Sequence, residues 1–531
     1  MHIRSVPAGK TRVAAALGAV LALTLTACGG GSEPGDTTAS DTTTSAAPEG
    51  PARDSLTVGV PLLPVGIDPI TYNDSRTQMV YKLVNESLYR YTGPDEVTPL
   101  LAADLPEISE DGTTWTIPLK EGITFTNGDA FDAEDVVYTF ETILNPDNGS
   151  YNRSALVALE SVKAIDAQTV ELKLAHAFSP LMYQLTRLTM ITSSIEYKPS
   201  ETYVETLVGT GPYKISEIVR GQEIILEANE DFREEGVPNI PKIVVKAFPD
   251  VNSQLTALKN DQIQIIPQVS HAAVDTIKGF ANVYQSDADL VATRFWLWPN
   301  LKGGIMTDEK VRKAVTIAID RGKVVANTLR GNGYPISTLP SAREGALFYS
   351  ELAQAYGTDS QIEEAKALLE EAGVAGQKLH LVVPTNAGIP EVADSIQEQL
   401  EAIGFQLERE DLTQAAALDR LFNGNYDLYL NGNTSSAGHS GLDNTFCLYR
   451  AGATCNLNGV DDPELTELTM EAVQATDDEV DDVVARLRQR QLEYVPDMPI
   501  AVGYDMTALA KDLEGFEMFN FGDYTGFAYI K

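Results

Sequence analysis

Residues 379–430 read LHLVVPTNAGIPEVADSIQEQLEAIGFQLEREDLTQAAALDRLFNGNYDLYL. Two periods alternate in this stretch. Leu379 to Val383, Phe405 to Glu410 and Asp427 to Leu430 are short strand-like runs, whereas Glu391 to Ile403 and Gln414 to Phe422 space their apolar residues three and four apart, as a helix requires. Strand, helix, strand, helix, strand is the signature of βαβ units around a sheet.

The alternation continues outward. Upstream, Asp308 to Ile319 and Gln361 to Ala372 read as helices, the second stopped by Gly373. Downstream, helices Glu464 to Ala475 and Glu479 to Tyr494 precede Pro496, Pro499 and a strand-like Ile500 to Gly503, after which the chain changes character. A chain that leaves one domain and re-enters it is expected. Nearer the N-terminus, Leu56 to Val60, Thr113 to Leu119, Glu223 to Ala228 and Lys242 to Ala247 read as strands. Asp132 is placed to cap a helix running to Ile143, with Glu134 and Asp135 in its first turn. With 531 residues and 43% hydrophobic content, the α/β body holds more than one core, so two or three domains are expected.

The first residues are of another kind. His2, Arg4, Lys10 and Arg12 precede an apolar run from Val13 to Leu25, then Leu25-Thr26-Ala27-Cys28 and three glycines. The run is too short to span a bilayer and reads as a signal peptide over 1–27. A cysteine at the cleavage point resembles a bacterial lipoprotein signal, in which Cys28 is acylated and anchors the protein to the membrane. Residues 28–54 lack apolar periodicity and form a disordered tether. Cys447 and Cys455 remain, and in an oxidising compartment a disulfide between them is expected. A zinc site joining them to His439 is the alternative.

Composition excludes several functions. There are 76 acidic against 39 basic residues, and the resulting net charge of −37 repels nucleic acid. No Gly-x-Ser-x-Gly elbow occurs, and His176, His271, His380 and His439 sit in no catalytic frame, so no catalytic residue is assigned. Gly438-His439-Ser440-Gly441 reads as a glycine-rich polar loop. Gly209-Thr210-Gly211-Pro212 stops short of a dinucleotide fingerprint and no Walker sequence exists, so neither cofactor nor metal is expected. A cell-envelope hydrolase would need a nucleophile and base that the sequence does not display; a purely structural surface lipoprotein is the third class. The aromatic run Phe295-Trp296-Leu297-Trp298-Pro299-Asn300 sets two tryptophans on one face of a strand, serving either as core or as a flat wall for a ligand.

From Leu83 to Leu144 the order Asn85-Glu86-Ser87-Leu88-Tyr89, Pro99-Leu100-Leu101-Ala102, Asp111-Gly112, Thr114-Trp115-Thr116, Asn127-Gly128-Asp129 and Phe131-Asp132-Ala133-Glu134-Asp135-Val136-Val137 resembles the family 5 extracellular solute-binding proteins. Gly209-Thr210-Gly211-Pro212-Tyr213, Val311-Arg312-Lys313-Ala314, Ala318-Ile319-Asp320-Arg321, Pro496 and Pro499 match further landmarks, whose roles are read as structural. The resemblance implies a type II (cluster C) periplasmic-binding-protein-like fold with two hinged lobes. It divides the body into lobe I at 55–82, an extra subdomain at 83–207, lobe I again at 208–298, lobe II at 299–503, and a lobe I return at 504–531. It further implies a monomer that closes on a small solute, foremost an oligopeptide, and delivers it to the permease subunits of an ABC importer. Oligosaccharides, nickel complexes and other small solutes are the alternatives.

Family dipeptide binders hold the ligand amine with an Asp and its carboxylate with an Arg. The corresponding stretches here, Asn431 to Ser436 and Pro384-Thr385-Asn386, carry no charge, so longer peptides held through their backbone, or a sugar stacked on tryptophan, fit better. The expected ligand-binding residues are Trp296, Trp298, Asn300, Asn433, Thr434, Ser435 and Asp443, the last as a displaced amine anchor.

Overall fold

The computed structural model describes residues 53–64, 66–72, 74–93, 96–187, 191–197, 207–248, 250–287, 292–339, 359–385, 388–435, 439–453, 455–476, 479–519 and 522–531. The signal segment, Cys28 and nearly all of the tether lie outside the described residues.

Two large sheets organise the body. The first has the order Asn282–Gln285, Met506–Leu509, Ile265–Ile266, Leu56–Val60, Lys242–Ala247, Glu223–Ala228, Tyr213–Val219. Its central Leu56–Val60 runs parallel to both neighbours, and Leu56, Val58, Ile243 and Val245, which share one face of the sheet, are fully buried. The second sheet has the order Gly333–Pro335, Met498–Tyr504, Ala292–Pro299, Leu428–Ser435, Lys378–Pro384, Gln406–Leu412. Here the decisive stretch folds as read: Lys378–Pro384 is parallel to Gln406–Leu412 and to Leu428–Ser435, linked through helices Ile389–Ala402 and Gln414–Phe422. Leu379, Leu381 and Val383 face Val392, Ile396 and Leu400 of the first helix, while Val382 faces Ala417 and Leu421 of the second. A smaller sheet, Glu107–Ile108, Thr114–Pro118, Thr169–Leu174 and Leu159–Asp166, packs under helix Ala133–Leu144 to form the extra subdomain.

The landmark residues serve structural ends. Asp132 and Asp135 form a reciprocal capping box at the start of helix Ala133–Leu144. Glu86 takes both guanidinium nitrogens of Arg233, at 2.6 and 2.7 Å, and the Thr210 hydroxyl at 3.0 Å. A Cβ on Gly209 would stand 2.1 Å from the Val84 carbonyl oxygen, so only glycine permits that backbone approach.

Two expectations are corrected. The lobe boundary does not fall after Trp298: Ala292–Pro299 pairs along its whole length with Leu428–Ser435 and along most of it with Met498–Tyr504, so the second lobe begins by Ala292, and Tyr504 pairs with it too. The glycine-rich loop at His439 is instead the start of helix His439–Tyr449, because Leu442 and Phe446, four apart, bury one face.

Candidate ligand cleft

The chain passes from the first sheet to the second after Gln285 and returns between Tyr504 and Met506. Strand register fixes where these crossings lie. Ala292, Ser435 and Tyr504 stand side by side, so the second sheet meets the crossings at the C-terminal ends of its parallel strands. In the first sheet, Ile265–Ile266 is antiparallel to Met506–Leu509 and parallel to Leu56–Val60, which places the Met506 end beside the C-terminal end of Leu56–Val60. Both lobes therefore present carboxyl ends of parallel strands to one another, the place where open α/β sheets bind ligands.

A second interlobe contact, separate from the crossings, brings the subdomain against the second lobe. Phe178 meets Phe446 edge-on at 5.6 Å, and the Ser179 amide donates to the Val473 carbonyl at 2.8 Å. Leu442, Phe446, Ala472 and Val473 join the same apolar cluster as Phe178 and Leu181. The cleft lies between lobes that touch at this edge.

Asn433, Thr434 and Ser435 form the last three residues of Leu428–Ser435, opposite Arg294, Thr293 and Ala292. Asp443 lies on helix His439–Tyr449. The side chains of these four lie outside the described residues, but the backbone of the strand does not. Its other edge pairs with Lys378–Pro384 only at Leu428 and Tyr429, so among the described residues 430–435 carry a free strand edge at the cleft end. On the first lobe, the Asn152 amide nitrogen donates to the Pro69 carbonyl in the loop that follows Leu56–Val60, and its Oδ1 is buried with no partner among the described residues.

The aromatic strand is placed differently from a ligand wall. Trp296 and Trp298 are 6% and 8% exposed, packed under helix Gln414–Phe422 with Val382, Tyr426 and Tyr429. Trp298 stacks on Tyr429 at 6.0 Å and opposes it at the amino end of the parallel strands. Six residues separate it from Ala292, about 20 Å of strand from the crossings. Asn300 is farther still, its amide nitrogen donating to Gly424 and Tyr426 carbonyls at 3.1 and 3.0 Å. Trp298→Ala is expected to lower stability by about 3 kcal/mol through the cavity it leaves. Denaturation and titration calorimetry on the same samples check this, with ligand affinity expected to hold within twofold.

Cys447 and Cys455 form a disulfide with Cα atoms 5.6 Å apart, so neither sulfur is available to a zinc ion with His439. Among the described residues no cluster of three metal-ligating groups occurs, and no helix is long and apolar enough to cross a membrane. Phe178 and Phe446 were not legible as a contact between the lobes. The i, i+4 pair Leu442 and Phe446 was the available signal for the helix, masked by Gly438 before it and Gly441 within its first turn.

The sequence profile of the bacterial extracellular solute-binding proteins, family 5 Middle, matches residues 96–449. The oligopeptide-binding protein AppA of Bacillus subtilis is 26% identical over 358 residues, which span 62% of this chain and 63% of that protein's length. The nickel-binding periplasmic protein of Escherichia coli is 26% identical over 66% of this chain and 70% of its own. The periplasmic binding protein DppA from Helicobacter pylori, solved with the peptide STSA, superposes with a TM-score of 0.77 at 21% identity, covering 90% of this chain and 97% of its own. Members of this family bind solutes, and the two-lobed α/β architecture is that of type II periplasmic binding proteins. The chain belongs to the bacterial extracellular solute-binding proteins of family 5.

Proposed function

We propose that the chain is the extracytoplasmic solute-binding component of an ABC importer, capturing an oligopeptide between its lobes and presenting the closed form to the permease subunits. The free strand edge at residues 430–435 carries the choice of peptide, since an extended chain laid along it gains main-chain hydrogen bonds whatever its sequence. The uncharged stretch from Asn431 to Ser436 fits this mode, because it offers backbone groups in place of a fixed amine clasp. Asn433, Thr434, Ser435 and Asp443 are the side chains proposed to border the peptide. The chain performs no catalysis in this role and works as a monomer, held to the membrane by acylated Cys28 through its tether. Replacing Cys28 by alanine would release it to the soluble fraction.

Mass spectrometry of what co-purifies identifies the ligand, and calorimetry with the recovered peptide measures it. Methylating one backbone nitrogen of that peptide at a time is expected to weaken binding about tenfold at each amide that donates to the strand. Indifference to every methylation rejects the strand-edge mode, and recovery of one sugar or one metal complex rejects peptide as the cargo.

A further inference from the structure

Both crossings meet at one buried acid. The Ser286 amide donates to the Asp505 carbonyl at 2.9 Å, and the Asp505 amide donates back to the Ser286 hydroxyl at 3.0 Å, so the two connections are tied together. The Asp505 side chain is 5% exposed. Gln268 Nε2 donates to its Oδ2 at 3.3 Å, from a residue held at φ 54, while Oδ1 is buried with no partner among the described residues. No cation closes on this carboxylate in the described surroundings. Among the described residues, the titratable groups that feel its charge are Tyr284 on the outgoing side and Tyr524 in the C-terminal segment; Asp287 and Glu517 act on Tyr284, and the His271 ring stands against Gly503, two residues before Asp505.

We propose that Asp505 is a proton-operated stop in the hinge, the lobes closing over it when it carries a proton and opening when it is ionised. A rotation about two tied crossings is absorbed by the few residues in them, so opening changes the surroundings of Asp505 directly. An ionised carboxylate with one weak neutral donor is costly to bury, and opening lets water reach it.

The sign follows from linkage. Burial pushes the Asp505 carboxyl up to about 6 in the closed hinge, with the Gln268 bond opposing. A hydrated aspartate titrates near 4. The closed form thus takes up the proton first, and closure strengthens as pH falls from about 7 through the closed-state value, by about tenfold at pH 5. His271 acts with the opposite sign, because burial holds its imidazole below the ordinary value and a proton there favours opening.

The test uses the full chain without ligand, so its failure is distinct from failure of the peptide assignment, although it rests on the two-lobe hinge of that reading. The Ser179 amide is bonded across the lobes and the Gln184 amide, bonded to Pro180, is not. Hydrogen exchange at Ser179, corrected for the intrinsic rate and referenced to Gln184, is expected to show about tenfold greater protection at pH 5 than at pH 7, with the His271 contribution set against it. In Asp505→Asn the Asp505 share of that change is lost, and protection at pH 7 exceeds that of the unmodified chain by at least tenfold. Equal protection in both proteins at both pH values, or protection that falls in Asp505→Asn, overturns the proposal. If the variant does not fold, the pH series on the unmodified chain decides alone, and flat or falling protection at Ser179 overturns it.

Discussion

Arg312→Ala is expected to lower the unfolding free energy of the second lobe by about 4 kcal/mol, the largest stability effect of any substitution considered. Arg312 is 3% exposed and lies on helix Glu309–Ala318. Its Nε donates to the carbonyls of Tyr494 and Val495 at 3.1 and 3.0 Å, one terminal nitrogen reaches Met306 and Thr307 at 3.0 Å each, and the other reaches Tyr494 at 2.6 Å. Helix Val480–Tyr494 ends at Val495 in the left-handed region, and the guanidinium caps the carbonyls that such an end leaves exposed. Its plane also sits over the Tyr494 ring at 4.9 Å. Alanine would strand several buried carbonyls at once, each costing about 1–3 kcal/mol before relaxation. Lysine supplies one ammonium in place of a planar fork and is expected to recover less than half of the loss. Urea denaturation followed by circular dichroism checks both variants. A loss below about 1 kcal/mol for alanine would show that water replaces the fork at little cost.

The sequence motif around Arg312 was legible as a landmark, but not what it does, because the helix end it caps, at Tyr494 and Val495, lies 182 and 183 residues away. The same holds for Arg321, which is held at 2.8 Å from the Pro499 carbonyl, another landmark. Periodicity located the strands and helices of the second lobe within one to three residues in most cases, since each element there buries one face or one stripe. It could not report where strand Leu428–Ser435 ends: the run beyond Leu430 opens on Asn, Gly and Asn, residues with poor strand preference, and is held extended by pairing with the aromatic strand. Trp296 and Trp298 misled for the converse reason. Alternation shows that two rings share a face, but not whether a helix covers that face, and helix Gln414–Phe422 does. The hinge acid was invisible among 76 carboxylates until the register of two sheets placed it.

Phe446→Ala is expected to weaken ligand binding by about 10- to 100-fold while costing the ligand-free protein less than its own burial suggests. Phe446 is 2% exposed, meets Phe178 of the other lobe at 5.6 Å and supports Arg450 over its outer face at 4.2 Å. The Phe178 contact exists only when the lobes touch, so the apolar area it buries favours the closed form alone. Truncating the ring removes about 1.5–3 kcal/mol of that preference. A ligand that binds the closed form then has to supply the difference, and its apparent affinity falls by the corresponding factor. The loss belongs in the dissociation rate, since encounter takes place in the open form. Phe422, on the surface of the same lobe and 64% exposed, provides the control: Phe422→Ala is expected to leave affinity within twofold. Stopped-flow release of the recovered peptide from both variants separates the cases. Unchanged release from Phe446→Ala would mean that the contact persists when the lobes open, and the closed state would then be held by the ligand and the hinge without help from the subdomain.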